Sequence, residues 1–204
     1  MNQENWLEQA LLSWGKTDVR GASQAVGGPA WNSLLAHLLD TAAVAGCLWD
    51  RYLPPTVISR LADAFGRGQP LLARRMMMFL AALHDLGKAS DCFLRMFGAG
   101  RHASPQMRAE RELWEEAARA GGLPLATDLQ AAPWARHEHI TAAHLPRLLG
   151  CDCRDCGGQG DVHEGLHAVA HLLGGHHGNI PQKDTVDRAA GAASLATWEP
   201  IYRA

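Results

Sequence analysis

The stretch that decides the fold runs from residue 71 to residue 85 and reads Leu71-Leu-Ala-Arg-Arg-Met-Met-Met-Phe-Leu-Ala-Ala-Leu-His84-Asp85. Apolar side chains occupy nearly every side of the helix that this stretch would form, which predicts a central, buried helix. Gly87 follows at a position where helices commonly end. The helix therefore brings an adjacent histidine and aspartate to the core. A buried carboxylate without a partner is strongly destabilising, and a bound metal ion would supply the missing partner.

Helical periodicity also dominates the rest of the sequence, and no sustained alternation of period two indicates a strand. The predicted fold class is therefore all-α, a single-domain helical bundle. The Gly/Cys/Asp-rich stretch 150–160 separates two of the helices. Beside the stretch 71–85, the predicted helices cover residues 31–52, a segment from near Thr56, Ser104–Ala120, 134–149, 161–174 and about 184–198.

The composition is that of an ordinary globular protein. Of the 204 residues 47% are hydrophobic and 20% are charged, and the formal net charge of −2 shows no electrostatic footprint of a stand-alone nucleic-acid binder. Five cysteines, an odd number, favour a reducing cytoplasm over a disulfide scaffold. The polar start Met1-Asn-Gln-Glu4 is unlike a signal peptide, and the longest apolar run, 76–83, is too short to cross a membrane. We therefore expect a cytoplasmic protein with no membrane partner.

Histidines provide the chemical signal of the sequence. His37 lies on the apolar stripe of the helix 31–52, which includes Leu34, Leu38, Val44 and Leu48. Two further segments present histidines at helix ends, and Thr141 stands one helical turn after the first of them. Mixed nitrogen and oxygen ligation suits Mn, Ni, Co, Fe or Zn better than Mg. The spacing alone leaves two alternatives open for these residues: they form a two-metal site, or they are unrelated residues of the core. The residues are His37, His84, Asp85, His137, His176 and His177.

Three other patterns have simpler interpretations. Residues 10–17, Ala10-Leu-Leu-Ser-Trp-Gly-Lys-Thr17, imitate a phosphate-binding P-loop but lack the strand that must precede one. Residues 163–167, His163-Glu-Gly-Leu-His167, match the pattern of zinc proteases, which is a remote alternative to a solvated histidine face. The third pattern is a structural zinc site or an ordinary surface loop, formed by Cys151, Cys153 and Cys156 with His163.

Five segments, taken in order, resemble the motifs of the HD nuclease domain of the type I CRISPR helicase-nuclease. They extend from about residue 11 to residue 181, nearly the whole chain. The segments are Leu12-Ser-Trp-Gly-Lys-Thr17, Leu34-Leu-Ala-His-Leu-Leu-Asp-Thr41, His84-Asp-Leu-Gly-Lys-Ala-Ser90, Arg136-His-Glu-His-Ile-Thr141 and His176-His-Gly-Asn-Ile-Pro181.

The resemblance implies an HD-type bundle with a metal site between its helices. It implies one ion held by His37, His84 and Asp85, and a second held by Asp85, His137, His176 and His177. Lys88 would lie beside the metals near a substrate phosphate, which makes His84, Asp85 and Lys88 the expected catalytic residues. Thr141 would orient a metal-binding ring from behind it.

The resemblance also implies partners and a setting. The expected substrate is single-stranded DNA, supplied by a helicase domain in cis or in trans that works with a CRISPR surveillance complex. The family completes its first metal site with an aspartate in a later helix, and we find no obvious equivalent before Ala204. We therefore expect residues 1–204 to be one HD nuclease domain that lacks its C-terminal helices.

Two other functions remain open from the sequence. HD phosphohydrolases with the same kind of site cleave nucleotides or cyclic dinucleotides. A non-catalytic module that binds metal or a partner protein would also carry these residues. For the nuclease, we expect a metal-activated water to attack the phosphodiester, because no Ser-His or Cys-His arrangement supplies a side-chain nucleophile.

Overall fold

The computed structural model describes residues 5–17, 31–97, 104–128, 134–150, 160–192 and 198, with the backbone alone at residues 5, 106 and 160–163. Helices make up most of these ranges, and the fold class is all-α as predicted. No helix among the described residues is long and apolar enough to span a membrane. The helices are α1 (Asn5–Leu12), α2 (Leu34–Arg51), α3 (Pro55–Phe65), α4 (Pro70–Leu83), α5 (Asp91–Leu94), α6 (Pro105–Ala120), α7 (His137–Leu148), α8 (Gly160–Gly174) and α9 (Lys183–Ala192), and a 3-10 turn covers Leu86–Ala89.

Local signals set several of the helix starts. Ser104 caps α6, because its side chain accepts a hydrogen bond from the Met107 backbone N–H at 3.1 Å. Prolines occupy the first positions of α3, α4 and α6, where the missing N–H removes no helical bond. The predicted starts near Thr56 and at Ser104 are therefore confirmed.

A two-stranded antiparallel sheet was missed by the sequence analysis. Strand β1 (Trp14–Thr17) pairs with β2 (Trp31–Ser33), so that Thr17 lies opposite Trp31. The helix predicted from residue 31 begins at Leu34 instead, where the Ser33 side chain accepts from the Ala36 N–H at 3.1 Å. Strands of three and four residues are too short to show an alternating pattern. The P-loop-like residues 14–17 are thus an edge strand that follows a helix.

Helix α4 is not the central buried helix that its apolar sequence predicts. Of its residues, all of which the structure describes, only Ala73 is buried. Leu71 is 60% exposed and Phe79 is 43% exposed. One side of α4 packs closely on α2, where the Met78 sulfur lies 3.0 Å from the position of a Cβ on Gly46. The prediction was wrong because apolar composition alone does not show how many neighbours a helix has.

The buried face of α2, which packs on α4, differs from the stripe that the sequence predicts. Gly46 and Trp49 are buried there, whereas Val44 and Leu48 of the predicted stripe are exposed. The N-terminal half of the stripe is correct, since Leu34, His37 and Leu38 are buried. The main core therefore lies at the N-terminal end of α2, against the 3-10 turn and α7.

Helix α7 is the most deeply buried helix of this core. Ile140, Thr141 and Leu145 are fully buried, and His144 is buried on the same helix. Within the described residues, neither ring nitrogen of His144 has a hydrogen-bond partner, and its ring lies 5.5 Å from that of Trp198. Burial, with a smaller effect from Arg147, lowers the pKa of His144 to about 4. The ring is therefore neutral in the folded protein at pH 7.

This neutral ring makes stability dependent on pH. An unfolded chain protonates His144 near its ordinary pKa of 6.5, whereas the folded protein resists protonation down to about pH 4. The unfolded state therefore binds more protons in this interval, and this group removes roughly 3 kcal/mol of stability as the pH falls through it. We expect His144→Leu to lose less stability than the wild type between these pH values in urea unfolding. Parallel losses in the two proteins would contradict the prediction.

Candidate metal centre

The His84-Asp85 pair lies where α4 gives way to the 3-10 turn. Residues 85–90 are all buried, and the turn lies against the start of α7. A Cβ on Gly87 would overlap the His137 carbonyl oxygen and would lie 2.9 Å from the Thr141 backbone nitrogen. Because these are backbone atoms of α7, they cannot shift to accommodate a Cβ at position 87. Glycine at position 87 is therefore what allows Asp85 to approach α7.

Thr141 joins the same two segments by hydrogen bonds. Its hydroxyl oxygen accepts from the Gly87 backbone N–H at 2.9 Å. The hydroxyl lies 3.1 Å from the His137 carbonyl oxygen, to which it donates. The predicted supporting position of Thr141 agrees with this geometry, although the contact is to the backbone of His137 rather than to its ring. Its effect on metal binding stays a prediction.

Asp85 occupies the centre of the site and is 4% exposed. Its Oδ2 atom lies 2.8 Å from the His37 Nε2 atom and 3.1 Å from the His84 Nε2 atom. Its Oδ1 atom lies 3.0 Å from the His137 Nε2 atom and 3.2 Å from the His176 Nε2 atom. The His177 Nε2 atom lies 3.2 Å from that of His137. The structure thus brings together all six residues that the sequence predicted as metal ligands.

The charge of Asp85 governs the electrostatics of this cluster. Burial by itself would raise its pKa, but the contacts with His137, His176, His37 and His84 hold the pKa well below its usual range. Burial lowers the pKa of His177, whereas at His176 the contacts with Asp85 and the Leu173 carbonyl outweigh burial and raise the pKa. The carboxylate is therefore ionised at neutral pH, and it favours positive charge around it.

The outer ring nitrogens have acceptors of their own. The Nδ1 atom of His84 lies 2.8 Å from the Ala81 carbonyl oxygen, and that of His176 lies 2.6 Å from the Leu173 carbonyl oxygen. A carbonyl oxygen can only accept, so each Nδ1 atom carries the proton and donates it. The Nε2 atoms that face Asp85 are then left with a lone pair in the metal-loaded protein. These contacts prepare the rings for metal ligation.

A divalent ion fits this donor set. The site contains two groups of ligand atoms that share Asp85, and within each group the atoms lie within 4.8 Å of one another. The first group is His37, His84 and Asp85, and the second is Asp85, His137, His176 and His177. Within the described residues, the buried Oδ1 atom of Asp85 makes no properly directed hydrogen bond, although two ring nitrogens lie close to it. A cation between these atoms would satisfy the oxygen. The groups coincide with the two ligand sets expected from the resemblance, whose occupation by metal stays a prediction.

Lys88 contacts the cluster through its ammonium group. Its Nζ atom lies 2.7 Å from the Asp85 Oδ2 atom and donates to the Gly15 carbonyl oxygen at 3.1 Å. The ammonium group also lies 5.3 Å from the centre of the Phe93 ring. Lys88 thus links the β1 strand to Asp85, and its predicted contact with a substrate phosphate stays a prediction.

Two other sequence candidates involve residues that the structure does not fully describe. Cys151, Cys153 and Cys156 and the side chain of His163 lie outside the described residues. Glu164 of the protease-like pattern is exposed on α8, and among the described residues His167 belongs to neither ligand group.

Glu138 is a residue of the site that the sequence analysis missed. It is 2% exposed, and its Oε2 atom lies 3.4 Å from the His137 Nδ1 atom. Its Oε1 atom lies 2.5 Å from the Arg136 Nε atom. Burial raises its pKa, but its own backbone N–H and the neighbouring side chains of His137 and Arg136 lower the pKa overall. An acidic residue in a first helical turn usually lies in solvent, so the sequence carried no signal of this burial.

Comparison with known proteins identifies the family. Residues 14–203 match the family described as "Cas3, HD domain". The chain belongs to this family. The resemblance inferred from the five motifs is confirmed, and so is the enzyme class, an HD-family hydrolase.

Individual Cas3 relatives agree with this assignment. The chain is 30% identical over 196 residues to the CRISPR-associated endonuclease/helicase Cas3 of Thermus thermophilus, covering 96% of this chain and 17% of that protein. It is 27% identical over 174 residues to the CRISPR-associated nuclease/helicase Cas3 of Streptococcus thermophilus, covering 84% and 16%. A crystal structure of a CRISPR-associated protein matches with a TM-score of 0.70 and 27% identity, over 100% of this chain and 19% of that one. The chain therefore spans about a sixth of the length of the curated relatives that it matches.

The contact at Gly87 yields a test of the Cas3 HD centre. We expect Gly87→Ala to separate the 3-10 turn from α7, to destabilise the protein by roughly 3 kcal/mol, and to weaken divalent-metal binding. Gly165→Ala is the matched control, because an added Cβ there meets open space among the described residues, and it should stabilise α8 by about 1 kcal/mol. Urea unfolding and metal titration measure both effects. Wild-type metal affinity in a folded Gly87→Ala protein would contradict this account of the turn.

Proposed function

We propose that residues 1–204 form one HD nuclease domain, which hydrolyses phosphodiester bonds of single-stranded DNA in CRISPR interference. The observation that carries the proposal is the shared carboxylate of Asp85. Its two oxygens face different groups of histidines, at 2.8 and 3.1 Å on one side and at 3.0 and 3.2 Å on the other. A carboxylate in this position suits a pair of ions that act on one phosphoryl group.

The residues of the site supply binding and orientation rather than a nucleophile. When one or two divalent ions are bound, they supply an activated water and charge neutralisation at the phosphoryl oxygens. The nitrogen-rich ligands favour Mn, Ni, Co or Fe over Mg. Asp85 holds the two halves of the site together, and the backbone carbonyls of Ala81 and Leu173 keep the His84 and His176 rings turned toward it. Buried Lys88 places a fixed positive charge beside Asp85.

The substrate and the partners are supported by the relatives and by the charge of the chain. Both curated relatives are named as nuclease/helicase proteins, which supports a helicase domain in cis or in trans as the source of single-stranded DNA. The net charge of −2 provides little attraction for a free DNA strand. We therefore infer that the strand is delivered to the site by the helicase and a CRISPR surveillance complex.

Cleavage by the isolated chain tests the proposal. End-labelled single-stranded DNA is incubated with the 204-residue protein and Mn²⁺, Ni²⁺ or Co²⁺, with EDTA in parallel. We expect cleavage that needs the metal and that falls on the order of 1000-fold in Asp85→Asn, because that variant removes the charge shared by both ligand groups. Asp187→Asn is the matched control, since Asp187 is an exposed residue of α9 that pairs with Lys183.

The other outcomes separate the alternatives. Cleavage in EDTA, or equal cleavage by Asp85→Asn, would contradict the proposed site. Hydrolysis of nucleotides or cyclic dinucleotides without cleavage of DNA would indicate a phosphohydrolase instead. Bound metal without hydrolysis of any of these substrates would indicate a non-catalytic module.

A further inference from the structure

Glu138 is a second buried carboxylate beside the metal centre. It lies in the first turn of α7, directly after His137, and its side chain is enclosed by protein. The carboxylate faces one ligand group, since its Oε2 atom lies 3.4 Å from the His137 Nδ1 atom. Among the described residues, Glu138 nevertheless belongs to neither ligand group.

The geometry of His137 explains what this carboxylate can do. The Nε2 atom of His137 faces the Asp85 Oδ1 atom at 3.0 Å, so the opposite ring nitrogen, Nδ1, points out of the site. At that position His84 and His176 face backbone carbonyl oxygens, whereas His137 faces the Glu138 Oε2 atom at 3.4 Å. An ionised carboxylate is a stronger acceptor than a neutral carbonyl, and it makes the metal-binding nitrogen of the ring a better donor to metal.

We propose that Glu138 is a positioning residue for the centre: its carboxylate keeps the His137 proton on Nδ1, so that Nε2 binds the ion shared with Asp85, His176 and His177. The inference rests on the proposed metal centre and assigns to it a residue that acts through His137 rather than by touching metal or substrate.

The surroundings of Glu138 hold it in this supporting position. Its Oε1 atom is engaged by the Arg136 Nε atom at 2.5 Å, which leaves Oε2 for the ring. Its backbone carbonyl oxygen lies close to Gly174, where an added Cβ would come within 3.2 Å of it. Gly174 ends α8 just before the His176-His177 pair. The start of α7 and the end of α8 are therefore packed together at the Glu138 backbone.

The first experiment observes the protons of His137 directly. Heteronuclear NMR of the ring nitrogens in the zinc-loaded, 204-residue wild-type protein reports which nitrogen carries the proton and which binds metal. We expect the proton on Nδ1 and zinc on Nε2 of His137. Zinc on Nδ1, or a His137 ring that binds no zinc, would overturn the proposal. This reading needs no variant, so it does not depend on whether a substituted protein folds.

The second experiment measures zinc affinity in a set of variants by competition with a chromophoric chelator. We expect Glu138→Gln, which keeps the size of the side chain and removes its charge, to weaken zinc binding by about 10- to 100-fold at the His137 group. Glu112→Gln, the same change at an exposed position of α6, should bind zinc as the wild type does. Unchanged affinity in Glu138→Gln would overturn the proposal.

A third variant separates positioning from a purely structural ion pair. Arg136→Gln breaks the contact with the Glu138 Oε1 atom but leaves Oε2 facing His137. Because Arg136 contacts only Oε1, we expect this variant to lose less zinc affinity than Glu138→Gln and to keep the His137 proton on Nδ1. If Arg136→Gln loses as much affinity as Glu138→Gln, the ion pair and not the ring contact is responsible, and the proposal fails. None of these measurements uses DNA cleavage, so a failure of the nuclease proposal is observed separately.

Discussion

The structure depends on one buried carboxylate. Asp85 lies among four imidazole nitrogens and one ammonium group, which come from α2, the end of α4, the 3-10 turn, α7 and the segment after α8. A buried charge is stable only when such partners are present. The elements that supply them must therefore converge on one point, and this requirement ties distant parts of the chain to each other.

The convergence is made possible by a close backbone approach. The absence of a side chain at Gly87 lets the 3-10 turn contact the first turn of α7. The Thr141 hydroxyl accepts a hydrogen bond from the Gly87 N–H of the turn and donates one to the His137 carbonyl oxygen of α7. Lys88 adds a second link, from Asp85 to the backbone of Gly15 in the small sheet. The centre is thus built on backbone contacts, which vary little in position and so can hold several rings in register.

The two halves of the centre differ in charge. Among the described acidic residues, Asp85 is the one in the His37 ligand group. The His137 group also contains Asp85, and in addition the Glu138 carboxylate lies near the His137 Nδ1 atom. Arg136 offsets part of the Glu138 charge, but Lys88 places its ammonium group at the Oδ2 atom on the His37 side, so the balance of charge favours a cation on the His137 side. This asymmetry arises from the fold, because the sequence places Glu138 next to His137 but only the tertiary structure buries its side chain.

The sequence by itself determined most of the helices and the HD segment and, through the resemblance of its motifs, the six residues that meet at the centre. Local features of a few residues produced these results, such as the capping Ser104 and the histidine- and aspartate-containing motifs. The tertiary structure alone decided which surfaces are buried: α4 is half exposed, Val44 and Leu48 face outward, and Glu138 is enclosed. The physical reason is that helix starts and ligand types depend on neighbours along the chain, whereas burial and the protonation of His144 depend on neighbours from other helices.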